Sequence, residues 1–81
     1  MNVRVHFFSR LRELTGISEM ELELRPAANV TELLAILYSR TPALRDWDQS
    51  ILVAAGVEFV DRDYLLQAGD QISIMPPLQG G

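Results

Sequence analysis

Hydrophobic and polar residues alternate with a period of two at the start of the chain. Val3, Val5 and Phe7 are separated by polar residues, which is typical of a strand that buries one of its two faces. We expect these three side chains to face the core. Phe8 continues the alternation on the polar side, so its ring is predicted to point away from the core.

Residues 17–24 repeat the alternation more clearly. Met20, Leu22 and Leu24 share one face, and a glutamate precedes each of them. Carboxylates two residues apart on a strand are ~7 Å apart, which is too far to share one metal ion easily. We therefore expect a strand with a solvated acidic face, and no metal site.

A short helix is predicted between these two strands. Ser9 can cap its N-terminus, and the helix should run through Glu13. Leu11 and Leu14 are spaced i, i+3 on one side of it. Gly16 is expected to end the helix.

A longer amphipathic helix is predicted from four apolar residues at i, i+3, i+4 and i+7. Asn29 and Glu32 resemble a capping box at its start. The helix should end near Thr41, because the residue before Pro42 disfavours helical angles. The four apolar residues are Val30, Leu33, Leu34 and Leu37.

The rest of the chain is predicted to form three more strands, at residues 51–55, 58–60 and 71–75, with a tight turn at Gly56. Residues 42–50 are predicted to be a polar connection that Leu44 and Trp47 anchor. The order β, short α, β, α, β, β, β indicates an α+β, ubiquitin-like β-grasp. We expect a mixed sheet with one main crossing helix and short additional helices, and with the first and last strands paired in its middle.

Composition limits the possible functions. The net charge is −4, and all seven basic residues are arginines. An acidic chain without a basic stripe argues against nucleic-acid binding. Since no lysine is present, the chain cannot accept an isopeptide bond on a lysine from another copy of itself. The absence of cysteine excludes disulfides, Cys-ligated metals and a thiol nucleophile.

No signal peptide is visible, and no apolar run is long enough to span a membrane. We therefore expect a cytoplasmic protein that does not bind membranes. We predict one β-grasp domain over residues 1–75 and an extended tail over residues 76–81.

The predicted tail follows the last strand. Pro76 and Pro77 cannot extend a sheet ladder, so they should carry the chain off the domain as a stiff arm that reaches about 16–18 Å. Gly80 and Gly81 have no side chains and suit a narrow channel. The alternative interpretation is a frayed terminus.

Two segments resemble the small, sulfur-carrying subunits of molybdopterin synthase. Residues 5–14, VHFFSRLREL, are similar to that family's first strand and helix. Residues 66–72, LQAGDQI, and 76–81, PPLQGG, are similar to its end. The resemblance covers the whole chain in length and element order. Gly56 departs from it, since an asparagine is typical of that turn.

The resemblance implies a carrier that is not catalytic alone. It implies that an E1-like adenylating enzyme uses ATP to activate Gly81, next to Gly80, and that a sulfurtransferase supplies sulfur for a thiocarboxylate. The large catalytic subunit of molybdopterin synthase would then accept the tail, in a heterotetramer, and the sulfur would form the dithiolene of molybdopterin. No cofactor is expected to be bound by the chain itself.

Partner-binding residues are expected near the tail. The resemblance places a hydrophobic docking patch at Phe59 and Met75, although the pattern alone allows Phe59 to be a core residue. It also matches Arg12 to a contact with the conjugation partner. The other expected partner-binding residues are Phe8, Pro76, Pro77 and Leu78.

Three alternatives stay open at this point. A sulfur carrier for thiamine thiazole synthesis has the same chemistry, but such chains are shorter and usually lack the Pro-Pro pair. A ubiquitin-like protein modifier shares the Gly-Gly tail. A plain β-grasp binding module would need no activated terminus.

Overall fold

The computed structural model describes residues 1–77, in which five strands form one sheet around two α-helices and a 3₁₀ helix. The two α-helices are α1 (Ser9–Thr15) and α2 (Val30–Arg40), and the 3₁₀ helix spans Pro42–Ser50. The strands are β1 (Asn2–Phe7), β2 (Glu19–Glu23), β3 (Leu52–Ala55), β4 (Glu58–Phe59) and β5 (Gln71–Met75). The predicted element order is confirmed.

The strand order in the sheet is β2-β1-β5-β3-β4. β1 and β5 pair in parallel, with Val5 opposite Ile72. The other three pairings are antiparallel. The prediction that the first and last strands pair in the interior of a mixed sheet is therefore confirmed.

The core lies between α2 and one face of the sheet. All three apolar residues of β1 are buried, as the alternation predicts, and so are Ile72 and Ile74 of β5. They belong to the same buried cluster as the apolar side of α2. The sheet face turned away from α2 is called the outer face here.

The start of α1 differs from the prediction. Ser9 does not cap the helix, because it is the first helical residue and has φ of 51°, while Phe8 occupies the cap position without a side-chain cap bond. The Phe8 N–H donates to the Ile74 carbonyl at 3.2 Å. Pairing to β5 therefore keeps the chain extended through Phe8, and the helix starts at Ser9, one residue earlier than a Ser9 cap would place it. The predicted end at Gly16 is confirmed by its left-handed φ of 78°.

The ends of α2 agree with the prediction. The Asn29 side chain accepts a hydrogen bond from the Glu32 N–H at 3.0 Å, and Thr41 is the C-cap. The Glu32 carboxylate pairs with Arg25, so only one half of the capping box is formed.

Residues 42–50 were predicted as an irregular connection and form a 3₁₀ helix instead. Leu44 is buried, and Trp47 packs against the core while remaining partly exposed. Both predicted anchors are therefore confirmed. Within residues 1–77, no helix has the length and hydrophobicity needed to cross a membrane.

Candidate functional site

Three segments converge at one edge of the sheet because of the strand directions. β1 runs parallel to β5, so the end of β1 and the start of α1 lie beside the end of β5. β3 runs antiparallel to β5, with Leu52 opposite Met75, so the 3₁₀ helix that precedes β3 lies at the same edge. The chain leaves the last strand at this edge through Pro76 and Pro77.

An apolar surface covers the outer face near this edge. Directly opposed residues of neighbouring strands share a face. Leu52 is opposite Met75, and Ala54 is opposite Phe59, so these four side chains lie on one face. Phe59 is 66% exposed and Phe8 is 44% exposed. We call these five residues the apolar face, and the position of Phe59 in it shows that Phe59 is not a core residue.

The neighbouring part of the outer face is charged. The Arg4 guanidinium lies 3.1 Å from a carboxylate oxygen of Glu21 and 3.8 Å from one of Glu19. His6 Nδ1 is 3.2 Å from Glu19, and its Nε2 is 2.8 Å from Gln71 Oε1. Two of the glutamates predicted to be merely solvated, Glu19 and Glu21, therefore pair with Arg4 of β1. No cluster of three potential metal-ligating side chains is found within residues 1–77.

A groove of about 430 Å³ adjoins the apolar face at the end of β5. We call it the tail-root groove, and its lining residues are Phe8, Ser9, Arg10, Trp47, Met75, Pro76 and Pro77. The two prolines are partly buried. Both prolines therefore form part of the groove wall, and the tail expected over residues 76–81 stays a prediction, since residues 78–81 lie outside the described part of the chain.

The structure brings together four of the predicted partner-binding residues, Phe8, Met75, Pro76 and Pro77, in the groove. Phe59 lies on the same face two strands away from β5, with β3 between them. Arg12 is exposed on α1, outside the groove lining. The predicted sites at Leu78, Gly80 and Gly81 lie outside the described residues.

Trp47 was predicted only as an anchor of the connection, and its place in the groove was missed. The signal that identifies it is topological. An antiparallel pair of the third and last strands brings the residues just before β3 to the end of β5. Hydrophobic periodicity alone carries no information about that pairing.

A polar cluster holds the 3₁₀ helix in place beside Trp47. The Tyr38 hydroxyl of α2 donates to the Asp48 carboxylate, and Arg62 Nη1 lies 3.0 Å from the same carboxylate. The hydrogen bonds from Tyr38 and Arg62 lower the pKa of Asp48. Burial, together with the hydrogen bond to Asp48, raises the pKa of Tyr38, so that hydroxyl stays a donor.

Comparison with known proteins gives one consistent set of relatives. A profile of the ThiS family matches residues 5–81. The molybdopterin synthase sulfur carrier subunit of Chlamydomonas reinhardtii is 34% identical over 84 residues, and the match covers 100% of both chains.

Three solved structures are similar over almost their full length. Molybdopterin converting factor subunit 1 from Pyrococcus furiosus has a TM-score of 0.87 at 29% identity, with 96% of this chain and 99% of that chain covered. One chain in a complex of subunits 1 and 2 of molybdopterin-converting factor from Helicobacter pylori has a TM-score of 0.74 at 29% identity. The match covers 100% of this chain and 100% of that chain. Small archaeal modifier protein 1 from Methanosarcina acetivorans has a TM-score of 0.81 at 28% identity, with 99% of this chain and 96% of that chain covered.

Proposed function

The chain belongs to the ThiS family, and we propose that it is the sulfur carrier subunit of a molybdopterin synthase. The structural observation that carries this proposal is the position of the apolar face. Phe8 and Met75 lie at the edge of the sheet where the last strand ends, and Phe59 extends the same face at the level of Ser73. A partner that binds this surface is positioned to receive the segment that follows Pro77.

The chemistry begins at the Gly81 carboxylate, which the family match includes. A C-terminal carboxyl group has a pKa of about 3.3–3.7, so it is ionised near neutral pH and is a poor electrophile. An E1-like enzyme transfers AMP from ATP to this carboxylate and releases pyrophosphate. The terminal sulfur of a sulfurtransferase persulfide then displaces AMP and forms an acyl disulfide. A thiol reductant cleaves the S–S bond, which leaves the thiocarboxylate on Gly81 and a disulfide as the oxidised product.

The thiocarboxylate sulfur is a nucleophile that attacks a carbon of the pterin precursor, so a C–S bond forms and the C–O bond to an oxygen substituent of that carbon breaks. Hydrolysis of the resulting acyl–sulfur bond leaves sulfur on the pterin and restores the Gly81 carboxylate. Each carrier delivers one sulfur, so a dithiolene requires two deliveries. A heterotetramer with two carriers and two large subunits would supply both.

The folded part of the chain contributes binding and positioning. Phe8, Phe59 and Met75 present apolar surface to the large subunit, as expected of an interface next to a functional terminus. Gly80 and Gly81 have no Cβ, so the tail can enter a narrow channel with unusual backbone angles. Arg12, exposed on α1, is assigned to the contact with the activating enzyme.

A single-turnover assay tests this function. The thiocarboxylated chain and purified large subunit are mixed with the pterin precursor, and the sulfur content of the pterin is measured by mass spectrometry. We expect one sulfur to leave the carrier for each one gained by the pterin. A chain that is activated but transfers no sulfur would contradict the assignment.

The similarity to small archaeal modifier protein 1 favours a second candidate, a protein modifier. The activated Gly81 would then form an isopeptide bond with a lysine of another protein and release AMP. The same activated chain, incubated with the organism's extract and ATP, separates the two candidates. Covalent conjugates that withstand reduction indicate a modifier, whereas a carrier leaves the extract proteins unmodified.

A further inference from the structure

One wall of the tail-root groove is the ring of Trp47, which is only partly covered by the folded domain. Trp47 packs against the core on one side and lines the groove on the other. Phe8 and Met75 form the adjoining apolar surface. At about 430 Å³, the groove has room for one or two apolar side chains of a partner.

Trp47 is held in a fixed position. Its neighbour Asp48 is bound by Tyr38 of α2 and by Arg62. The Trp47 carbonyl accepts a hydrogen bond from the Ile51 N–H at 3.0 Å, just before β3 begins. These contacts fix the backbone at Trp47, and its side chain packs against the core. An aromatic side chain that is already packed loses little conformational freedom on binding, which is the property of an interface anchor.

The length of the remaining chain limits where a partner can bind. Four residues follow Pro77, and four extended residues span at most about 13–14 Å. A protein that takes Gly81 into a channel must therefore bring the mouth of that channel close to Pro77. The groove that Pro77 lines is then covered by the rim of the channel.

We propose that Trp47 is a docking residue, which contacts an apolar side chain on the rim of the channel that receives the tail. The inference rests on the proposed function, and under it the partner is the large acceptor subunit. It extends the binding surface from the apolar face around the end of β5 to the 3₁₀ helix. It also gives the Tyr38–Asp48–Arg62 cluster a role in positioning a binding residue.

The test uses the fact that Trp47 is the single tryptophan in the chain. The full-length chain is labelled with 5-fluorotryptophan, so its ¹⁹F spectrum contains one resonance and the unlabelled acceptor subunit contributes none. Sedimentation velocity records separately whether the complex forms. We expect the resonance to shift in the complex and its H₂O/D₂O isotope effect to decrease, because the partner excludes solvent from the ring.

Two variants separate docking from folding. Trp47→Phe keeps an aromatic ring in the core contact but shortens the groove wall, so we expect about tenfold weaker binding to the acceptor subunit. Ile36→Val is the control, because Ile36 is a partly buried core residue of α2, on the side of the sheet opposite the apolar face. We expect this control to bind like the wild type.

The outcomes distinguish the two proposals. A complex that forms while the resonance and its isotope effect stay unchanged would overturn the role of Trp47 and leave the proposed function intact. Equal affinities for Trp47→Phe and the wild type would overturn it as well. If sedimentation shows no complex at all, the proposed function fails and the role of Trp47 fails with it.

Discussion

Replacing Phe59 with alanine should weaken binding far more than folding. Full truncation of a buried phenylalanine costs about 3–5 kcal/mol of stability. Phe59 is 66% exposed, so only about a third of its surface is buried in the folded domain, and only those contacts are lost on truncation. Scaling the cost to that fraction gives about 1–1.7 kcal/mol, or roughly 4–14 °C in melting temperature for a domain of this size.

The binding cost of the same substitution is expected to be larger. Truncating an aromatic anchor at an interface costs ~2 kcal/mol or more, which is ~30-fold in affinity. Met75→Ala should act in the same direction with a smaller effect, because Met75 is already partly covered. Calorimetric titration into the large subunit measures the affinity, and thermal melting of the free chain measures stability.

Phe7→Ala is the matched control, since Phe7 has the same side chain but is only 2% exposed. It should lose about 3–5 kcal/mol of stability. The reasoning would be refuted if Phe59→Ala lost as much stability as Phe7→Ala, or if the folded Phe59→Ala chain bound the large subunit with wild-type affinity.

The remaining predictions concern stability. The pKa of Asp48 is lowered by its hydrogen bonds with Tyr38 and Arg62, so its contribution is present above the pKa of the unfolded chain and is lost as pH falls through the folded value. Asp48→Asn should therefore flatten the acid side of the stability–pH curve, measured by urea unfolding; an unchanged slope would contradict this. Gly16 has φ of 78° and Ala27 has φ of 66°, so Gly16→Ala should destabilise, and Ala27→Gly stabilise, by up to ~1 kcal/mol in thermal melts. Shifts of the opposite sign would show that backbone strain is not the dominant effect at either site.

Hydrophobic periodicity was sufficient to predict β1, β2 and α2, because each of these elements buries one face. The strand alternation of β1 and β5 places Val5 and Ile72 inside, and a one-residue shift in register would turn a strand's buried side chains to the outer face. Gly16 was sufficient to predict the end of α1, because a left-handed backbone conformation after a helix depends on the residue at that position and not on tertiary contacts.

Features that depend on tertiary contacts were not predictable from local sequence. Ser9 has the chemistry of an N-cap, but the hydrogen bond between Phe8 and Ile74 decides where the helix starts. β4 has two residues, which is too short for its alternation to say whether Phe59 is buried. Trp47 reaches the groove only through the pairing of β3 with β5, two strands separated in the chain by β4 and a loop.

The measurement that tests the central claim most directly is the mass of the C-terminal peptide after activation. The chain is incubated with its activating enzyme, ATP and a sulfur source, and the peptide that contains Gly81 is analysed by tandem mass spectrometry. We predict that one oxygen of the terminal carboxylate is replaced by sulfur. We also predict that a chain lacking Gly81, whose end is displaced by ~3.5 Å, folds normally but transfers no sulfur to the pterin. Sulfur found on any other residue, or wild-type transfer by the shortened chain, would contradict the account.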